Sequence, residues 1–288
     1  YMVSPLSYDE QLDHLIINAL KEDLGLGDIS SLSTISPDAM GTARLLLKQS
    51  GILAGISVAE KIFRFIQPDI QFTPFMTDGD TIITGKIAFE VQGTVRTLLS
   101  AERLVLNCMQ RMSGIASLTK RYTEKIKDTG ARLLDTRKTT PNFRVLEKEA
   151  VRIGGGYNHR FGLYDMIMLK DNHIDFCGGL ESAILRAYDF VQKNCPHIAI
   201  EVETRNLDEV QQVLRIGKVN RIMFDNFTPQ ILAEAVKLVA HRYETEASGG
   251  INLDNIRDYA VTGVDFISSG SIIHQAVSLD MSLKAFIR

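Results

Sequence analysis

The chain has 288 residues, of which 45% are hydrophobic and 23% are charged, and this composition is typical of a soluble globular protein with a sizeable core. Its 32 basic and 35 acidic side chains give a net charge of -3, which excludes the broad positive field of a nucleic-acid-binding protein. No run approaches the roughly 20 apolar residues that a membrane helix requires, and the N-terminus lacks the pattern of a signal peptide.

The cysteines are sparse and show no metal-like pairing: they are Cys108, Cys177 and Cys195. An odd, scattered set of this kind does not suit the disulfide framework of a secreted protein. We therefore expect a cytoplasmic protein.

The first element in chain order is an amphipathic helix. Ser7 and Glu10 have capping-box spacing, apolar residues then recur at helical intervals, and Gly25 ends the pattern. Strand-like runs at 42–49 and 80–93 follow, on either side of a helical run. These patterns predict a small α+β domain up to about residue 100.

A long helical pattern at 97–127 comes next, and Ser113 and Gly114 predict an interruption within it. Short apolar runs then alternate with amphipathic ones, as in βα units of a parallel sheet. Four of these runs close at residues 22 positions apart, namely Glu203, Asp225, Ala247 and Ser269. We find six strand ends in fewer residues than the roughly 200 of a closed eightfold barrel. The expected fold is an open, incomplete α/β barrel of the TIM type.

All six strand ends carry polar or glycine-rich residues, which is more than helix capping requires. Cationic side chains concentrate at the first two ends and between them, although the chain as a whole is acidic. They are Arg137, Lys138, His159, Arg160 and Lys170. Arginine forks and lysine point charges suit carboxylates and phosphates, so the group predicts a small, multiply charged anionic ligand. For any single member, an ion pair with a nearby carboxylate is the alternative.

Two acidic residues, Glu203 and Asp225, end successive strands and are expected to converge on the same space. Such a pair can bind ribose hydroxyls, hold a magnesium ion or stabilise a developing positive charge. Glu201 should share the strand face of Glu203, with a buried pair to a core lysine as the alternative.

Glycine-rich turns at the last two strand ends, Ser248–Gly250 and Ser269–Ser271, are candidates for phosphate binding through backbone N–H groups. In the segment at 135–143, Asp135 and the threonines are expected to frame the cations, with Thr139 or Thr140 capping the following helix.

Taken together, these motifs resemble those of the quinolinate phosphoribosyltransferases, the decarboxylating nicotinate-nucleotide pyrophosphorylases of NAD synthesis. The resemblance covers nearly the whole chain, through EDLGLGD, RTLLSAERLVLN, SGIA, DTRKTTPNFRVLEKEAV, GGGYNHRFGLYDMIMLKDNHI, EVE, MFDN and EASGGI in that order. It implies a pentosyltransferase that converts quinolinate and phosphoribosyl pyrophosphate into nicotinate mononucleotide, pyrophosphate and carbon dioxide.

The family resemblance also implies an architecture and a chemical environment. A small N-terminal α+β sandwich domain at 1–112, joined by the C-terminal segment 278–288, would accompany an incomplete barrel at 113–277 that carries the site. The implied assembly is a homodimer with a shared active site, or a higher oligomer. Magnesium would be required and no organic cofactor, with neither a nucleic acid nor a membrane as partner.

Residue roles can be carried over by position. Quinolinate would contact Thr136, Arg137, His159 and Arg160, together with Arg103 from the partner subunit. Phosphoribosyl pyrophosphate would contact Lys138, Lys170, Ser248, Gly249, Gly250, Ser269, Gly270 and Ser271. Glu203 and Asp225 would face the ribose and hold the metal, and the implied catalytic group is Lys138, Lys170, Glu203 and Asp225.

The chain departs from the usual family pattern at four positions. Asn142 stands where glycine is usual and Glu149 where an aromatic residue is common, while Ile273 and Gln275 replace hydroxyl residues of the last phosphate loop.

Three other functions stay open from the sequence. They are a related phosphoribosyltransferase acting on another aromatic acid, an aldolase that forms a Schiff base on Lys170 or Lys138, and a non-catalytic anion sensor.

Overall fold

The structure is a computed structural model that describes residues 5–286. These residues form two compact units. The first unit contains the chain up to Lys120, Thr139–Gly155 and the residues from Gln275 onward, and the second contains Arg121–Lys138 and Gly156–His274. The domain limits expected from the sequence, 1–112 with 278–288 and 113–277, stay a prediction.

The first unit is built around a four-stranded antiparallel sheet. Its elements are α1 (Tyr8–Leu24), α2 (Ile29–Thr34), β1 (Met40–Leu47), β2 (Gly51–Ile52), α3 (Ile56–Ile66), β3 (Gln71–Pro74), β4 (Thr81–Ile82), β5 (Ile87–Thr94), most of α4 (Val95–Ile126), α5 (Arg144–Ile153) and the last strand of the chain, Met281–Ala285. That last strand pairs with β1, which pairs with β5, which pairs with β3. The predicted small α+β unit is confirmed, and the C-terminal strand completes its sheet.

Local sequence explains the first helix and the core of this unit. The Ser7 hydroxyl accepts the Glu10 N–H at 3.3 Å, the Glu10 carboxylate accepts the Ser7 N–H at 2.8 Å, and Gly25 ends the helix at φ 53°. The buried rings of Phe63 and Phe89 meet edge to face with centroids 6.2 Å apart, so α3 packs directly on the sheet.

The helix α4 is continuous from Val95 to Ile126, so the predicted interruption near Ser113 and Gly114 is wrong. The glycine has another purpose: a Cβ atom at Gly114 would collide with the carbonyl oxygen of Val277. The Ser113 hydroxyl is likewise used in packing, because it accepts the Ala54 N–H at 2.9 Å. Close approach of backbones, and not a helix break, accounts for both residues.

Gly114→Ala is therefore expected to destabilise the protein by about 2 kcal/mol, because an added methyl group overpacks a rigid backbone contact. Helix propensity alone predicts the opposite sign, a gain of roughly 1 kcal/mol. Urea unfolding of this variant and of Gly130→Ala, whose added methyl group would meet nothing within 4 Å, measures the difference. A Gly114→Ala protein at least as stable as the wild type would contradict the contact.

The second unit is a parallel sheet with helices between its strands. Its elements are β6 (Arg132–Leu134), β7 (Ile167–Leu169), α6 (Asp171–Phe176), α7 (Leu180–Asn194), β8 (Ile200–Thr204), α8 (Leu207–Ile216), β9 (Arg221–Asp225), α9 (Pro229–Val239), β10 (Glu244–Ser248), α10 (Ile256–Ala260), β11 (Phe266–Ser268) and α11 (Ser271–His274); the last strand of the chain is then β12. The six strands lie in the order β6-β11-β10-β9-β8-β7, all parallel.

This strand order confirms the predicted open barrel. The strands β6 and β7 are consecutive in the chain but occupy opposite edges of the sheet, and the described residues contain no pairing between them. All six predicted strand ends lie at the same edge of this sheet, because parallel strands share one direction. None of the described helices is long and apolar enough to cross a membrane.

The predicted threonine cap of α5 is wrong. The helix begins at Arg144 after Phe143, without a side-chain cap, because residues 141–143 form a separate turn. The Thr140 N–H and hydroxyl instead donate to the buried Glu147 carboxylate at 2.7 and 3.0 Å. Glu147 also binds Arg111 at 2.9 Å, so this threonine belongs to a buried ionic network.

Candidate active site

A cavity of about 590 Å³ lies in the second unit, at the carboxyl ends of the parallel strands. Most of the residues predicted to form a site line it: Thr136, Arg137, Lys138, His159, Arg160, Lys170, Glu203, Asp225, Ser248, Gly249 and Gly250. Strand ends far apart in the sequence therefore meet around one space, as the parallel sheet requires.

Cations and carboxylates stand close together in this cavity. The Lys170 ammonium lies 2.6 Å from a Glu203 carboxylate oxygen, and the lysine side chain is 43% exposed. Burial, followed by the positive charge of Arg137, lowers the pKa of Arg160. The two guanidinium groups thus repel each other, and an anion bound between them would relieve that repulsion.

Asp135, at the end of β6, holds the segment that carries His159. Its carboxylate is fully buried and accepts the His159 N–H at 2.8 Å and the Asn158 amide at 2.6 Å. Asp135 therefore fixes the segment at 158–159, while the role expected of it in framing Arg137 and Lys138 stays a prediction.

His159 lies at the inner wall of the cavity with its side chain only 4% exposed. Its Nε2 atom lies 3.1 Å from a Glu201 oxygen and 3.2 Å from a Glu246 oxygen, and its Nδ1 atom accepts the Arg160 N–H at 2.7 Å. Both ring nitrogens lie close to protein groups, while the residue also lines the cavity, and the substrate contact expected of His159 stays a prediction. Glu201 pairs with this histidine and not with a lysine.

Glu246 is a site residue that the sequence interpretation missed. It lies on β10, two residues before Ser248, and so faces the same side of the sheet. Arg221 of β9 binds it at 3.0 Å and binds the more exposed Glu244 at 2.9 Å. The period-two pattern of Glu244, Glu246 and Ser248 was the available signal.

Burial and neighbouring charges shift the pKa values of Glu201 and His159. Burial and then the charge of Glu246 raise the pKa of Glu201 to about 7. Burial lowers the pKa of His159, but hydrogen bonds and charges of both glutamates outweigh that effect and raise it to about 9. The two groups compete for one proton.

The glycine turn after β10 requires its glycines. Gly249 and Gly250 have φ values of 95° and 64°. The Asn226 side chain occupies the position that a Cβ atom of Gly249 would take. Asn226, itself at φ 56°, donates its N–H to the Ser248 carbonyl at 2.9 Å and its amide to the Asp225 carboxylate at 2.7 Å. This asparagine links the turn to Asp225.

Comparisons with known proteins identify the family. The family model described as quinolinate phosphoribosyl transferase, C-terminal domain, matches residues 115–284, and the model of the N-terminal domain matches residues 28–113. The chain belongs to the quinolinate phosphoribosyltransferase family.

The names of individual relatives agree with this family assignment. A quinolinate phosphoribosyltransferase [decarboxylating] 2, mitochondrial, from Nicotiana glauca is 43% identical over 92% of this chain and 80% of its own length. A probable nicotinate-nucleotide pyrophosphorylase [carboxylating] from Bacillus subtilis is 40% identical over 95% of this chain and 93% of its own length. The crystal structure of NadC from Streptococcus pyogenes has a TM-score of 0.89 at 38% identity and covers 98% of both chains.

Two departures from the usual family pattern have a structural account. Asn142 has φ 61°, a left-handed conformation that glycine adopts freely and asparagine tolerates better than most residues. The glycine that is usual in quinolinate phosphoribosyltransferases would adopt this conformation without strain. Glu149 forms a surface pair with Arg152 at 2.8 Å.

Four of the predicted site residues do not line the cavity. Ser269 and Ser271 are buried, and their hydroxyls lie 2.6 Å from each other; Ser271 also meets the Tyr122 hydroxyl at 2.7 Å. Gly270 packs against Lys138, because a Cβ atom at this glycine would lie 2.9 Å from the lysine side chain. Arg103 is exposed on α4 in the first unit.

Gly249→Ala is expected to reduce kcat/KM at least about tenfold, because the new methyl group displaces Asn226 and with it the Asp225 carboxylate. Gly263→Ala is the matched control, since Gly263 also has positive φ (88°) but a Cβ atom there would be 3.8 Å from its nearest neighbour and lies outside the cavity. Steady-state kinetics compare the two. Equal loss of activity in both variants would show that backbone strain, and not Asn226, is responsible.

Proposed function

We propose that this chain transfers the phosphoribosyl group of phosphoribosyl pyrophosphate to quinolinate, with loss of carbon dioxide, to give nicotinate mononucleotide and pyrophosphate in de novo NAD synthesis. The observation that carries the proposal is the single cavity in which four cationic side chains, Arg137, Lys138, Arg160 and Lys170, stand with the carboxylates of Glu203 and Asp225. Both substrates are polyanions, and the reaction develops positive charge on a sugar, so cations and carboxylates are both needed.

Quinolinate binding falls to Arg137 and Arg160, whose guanidinium forks match planar carboxylates, with the Thr136 hydroxyl beside them. Held in this way, the ring nitrogen faces the anomeric carbon of phosphoribosyl pyrophosphate. Attack by the nitrogen forms the new C–N bond as the C–O bond to pyrophosphate breaks. Positioning of two reactants in this manner supplies a large part of the rate enhancement.

The sugar phosphate side of the cavity is assigned to Lys138, Lys170 and the turn Ser248–Gly250. Two glycines at positive φ let the backbone approach a phosphate closely. Glu203 and Asp225 face the ribose, where their charges stabilise the cationic transition state. The Lys170 ammonium lies 2.6 Å from Glu203, so a cation and a carboxylate are already paired on this side of the cavity.

A magnesium ion fits the carboxylates of this cavity. Glu203 and Asp225 offer hard oxygen donors from neighbouring strands, which is the donor set that magnesium takes together with substrate phosphates. When bound, the ion would neutralise charge on the departing pyrophosphate. No organic cofactor is proposed, because the pyridinium nitrogen formed in the transfer can itself stabilise the carbanion left when the C–C bond to carbon dioxide breaks. That carbon then takes up a proton from solvent.

We further propose a homodimer in which Arg103 reaches the quinolinate of the neighbouring subunit. Its exposure on α4 supports this assignment. A reducing compartment such as the cytoplasm agrees with the free cysteines Cys108, Cys177 and Cys195.

The proposed reaction can be tested by incubating the protein with quinolinate, phosphoribosyl pyrophosphate and magnesium chloride. Nicotinate mononucleotide is followed by chromatography and carbon dioxide by release of carboxyl label. Parallel reactions with nicotinate and with other pyridine and benzene carboxylates distinguish a related phosphoribosyltransferase. Absence of both products from folded protein, or faster turnover of another acid, would contradict the proposal.

A further inference from the structure

The buried cluster behind the cavity consists of His159, Glu201, Glu246 and Arg221. Its members come from three adjacent strands, β8, β9 and β10, and from the segment after Gly156. The side chains of His159, Glu201 and Glu246 are 4%, 0% and 0% exposed. Burial of this many charged groups costs free energy, which the roles proposed above for the cavity do not explain.

The cluster makes a continuous chain of contacts that ends at a substrate-binding residue. Arg221 binds Glu246 at 3.0 Å, and carboxylate oxygens of Glu246 and Glu201 lie 3.2 and 3.1 Å from Nε2 of His159. The opposite nitrogen of the ring accepts the Arg160 N–H at 2.7 Å. The buried imidazole is enclosed by the two glutamates on one side and hydrogen-bonded to the Arg160 N–H on the other, so its orientation bears on the backbone from which the Arg160 side chain projects.

We propose that Glu201 and Glu246 are positioning residues for the aromatic dicarboxylate: they lock the His159 ring, and the ring holds the main chain of Arg160 in place for carboxylate binding. This inference rests on the proposed function, since it takes quinolinate as the ligand of Arg160. The glutamates act through His159 and Arg160 and do not themselves reach the substrate carboxylates.

A metal ion is the other ligand that one histidine and two glutamates can hold, since their donor atoms lie within 4.8 Å of one another. Charge balance disfavours it. Arg221 already places a guanidinium on Glu246 and stacks on the Phe266 ring at 4.1 Å, which fixes that positive charge in the cluster. A divalent ion would add two further positive charges beside the guanidinium that Arg221 already places in this buried cluster.

The test compares Glu201→Gln and Glu246→Gln with Glu244→Gln. Glu244 is a matched control because it lies on the same strand as Glu246 and binds the same arginine, but it is 54% exposed and does not contact His159. We expect the KM for quinolinate to rise about tenfold in the two cluster variants, while the KM for phosphoribosyl pyrophosphate stays within about twofold. Glu244→Gln should leave both constants unchanged. Calorimetric titration with quinolinate alone should show the same loss of affinity.

A double-mutant cycle tests whether the carboxylates act through the ring. His159→Asn can keep an acceptor for the Arg160 N–H but loses the link at Nε2, so Glu201→Gln should add no further change in this background. An unchanged KM for quinolinate in folded Glu201→Gln, or an equal rise in both KM values, would overturn the inference. If Glu246→Gln does not fold, the KM of Glu201→Gln for quinolinate is the deciding measurement, because this variant keeps the ion pair between Arg221 and Glu246.

Failure of the proposed function would look different. The wild-type protein would then neither bind quinolinate in the calorimeter nor form nicotinate mononucleotide, whatever the variants do. A wild type that does both, with cluster variants that match it, contradicts only the positioning role. The wild type is also treated with a chelator in the absence of added magnesium. If it then no longer binds quinolinate in the calorimeter, a metal ion occupies the cluster and the inference is overturned.

Discussion

Arg137→Ala is expected to lower kcat/KM for quinolinate by roughly 10²- to 10³-fold while the protein stays folded. The side chain is exposed in the loop after β6 and lines the cavity, so its removal disturbs little packing. Its loss also leaves Arg160 without the neighbouring guanidinium, so carboxylate binding from this wall of the cavity is weakened. Steady-state kinetics with each substrate varied in turn, together with the melting temperature, measure the two effects.

Two comparison variants sharpen this prediction. Arg215→Ala removes an exposed arginine at the end of α8, outside the cavity, and should leave kcat/KM within about twofold. Arg137→Lys keeps the charge but loses the planar fork, so a carboxylate-binding role predicts little rescue, whereas contact with phosphate predicts substantial rescue. Near-normal turnover by Arg137→Ala would refute the assignment of this residue.

The strand ends were the part of this site that the sequence could reveal. Glu203 and Asp225 close successive strands, and the parallel sheet brings such ends together whatever the details of packing. The open barrel followed in the same way, from six strand ends in a short segment. Predictions of this kind hold because they depend on element order and side-chain period.

The buried contacts could not be predicted in the same way. Glu201 and Glu246 lie on β8 and β10, which are separated by β9, and both approach Nε2 of His159. Gly114 is required by its close approach to the Val277 backbone, and Thr140 is held by its hydrogen bonds to Glu147. Each of these pairs is fixed by three-dimensional packing, and local propensity gave the wrong result for the helix break and for the threonine cap.

Subunit mixing is expected to restore activity if Arg103 serves the neighbouring site. In a dimer of Arg103→Ala with Arg137→Ala, one site carries both changes and the other carries neither. Equal mixing with free exchange gives half of the dimers as hybrids, so about a quarter of the wild-type activity should return. Activity after mixing, with subunit exchange followed by mass spectrometry of differently labelled chains, measures this.

A mixture of Arg137→Ala with Lys170→Ala provides the control. Both residues line the same cavity of one subunit, so every site in a hybrid dimer lacks one of them and no activity should return. Recovery in the first mixture and none in the second requires that Arg103 and Arg137 reach one site from different subunits. Absence of recovery in both, despite demonstrated exchange, would contradict the shared site and leave Arg103 without a role in binding quinolinate.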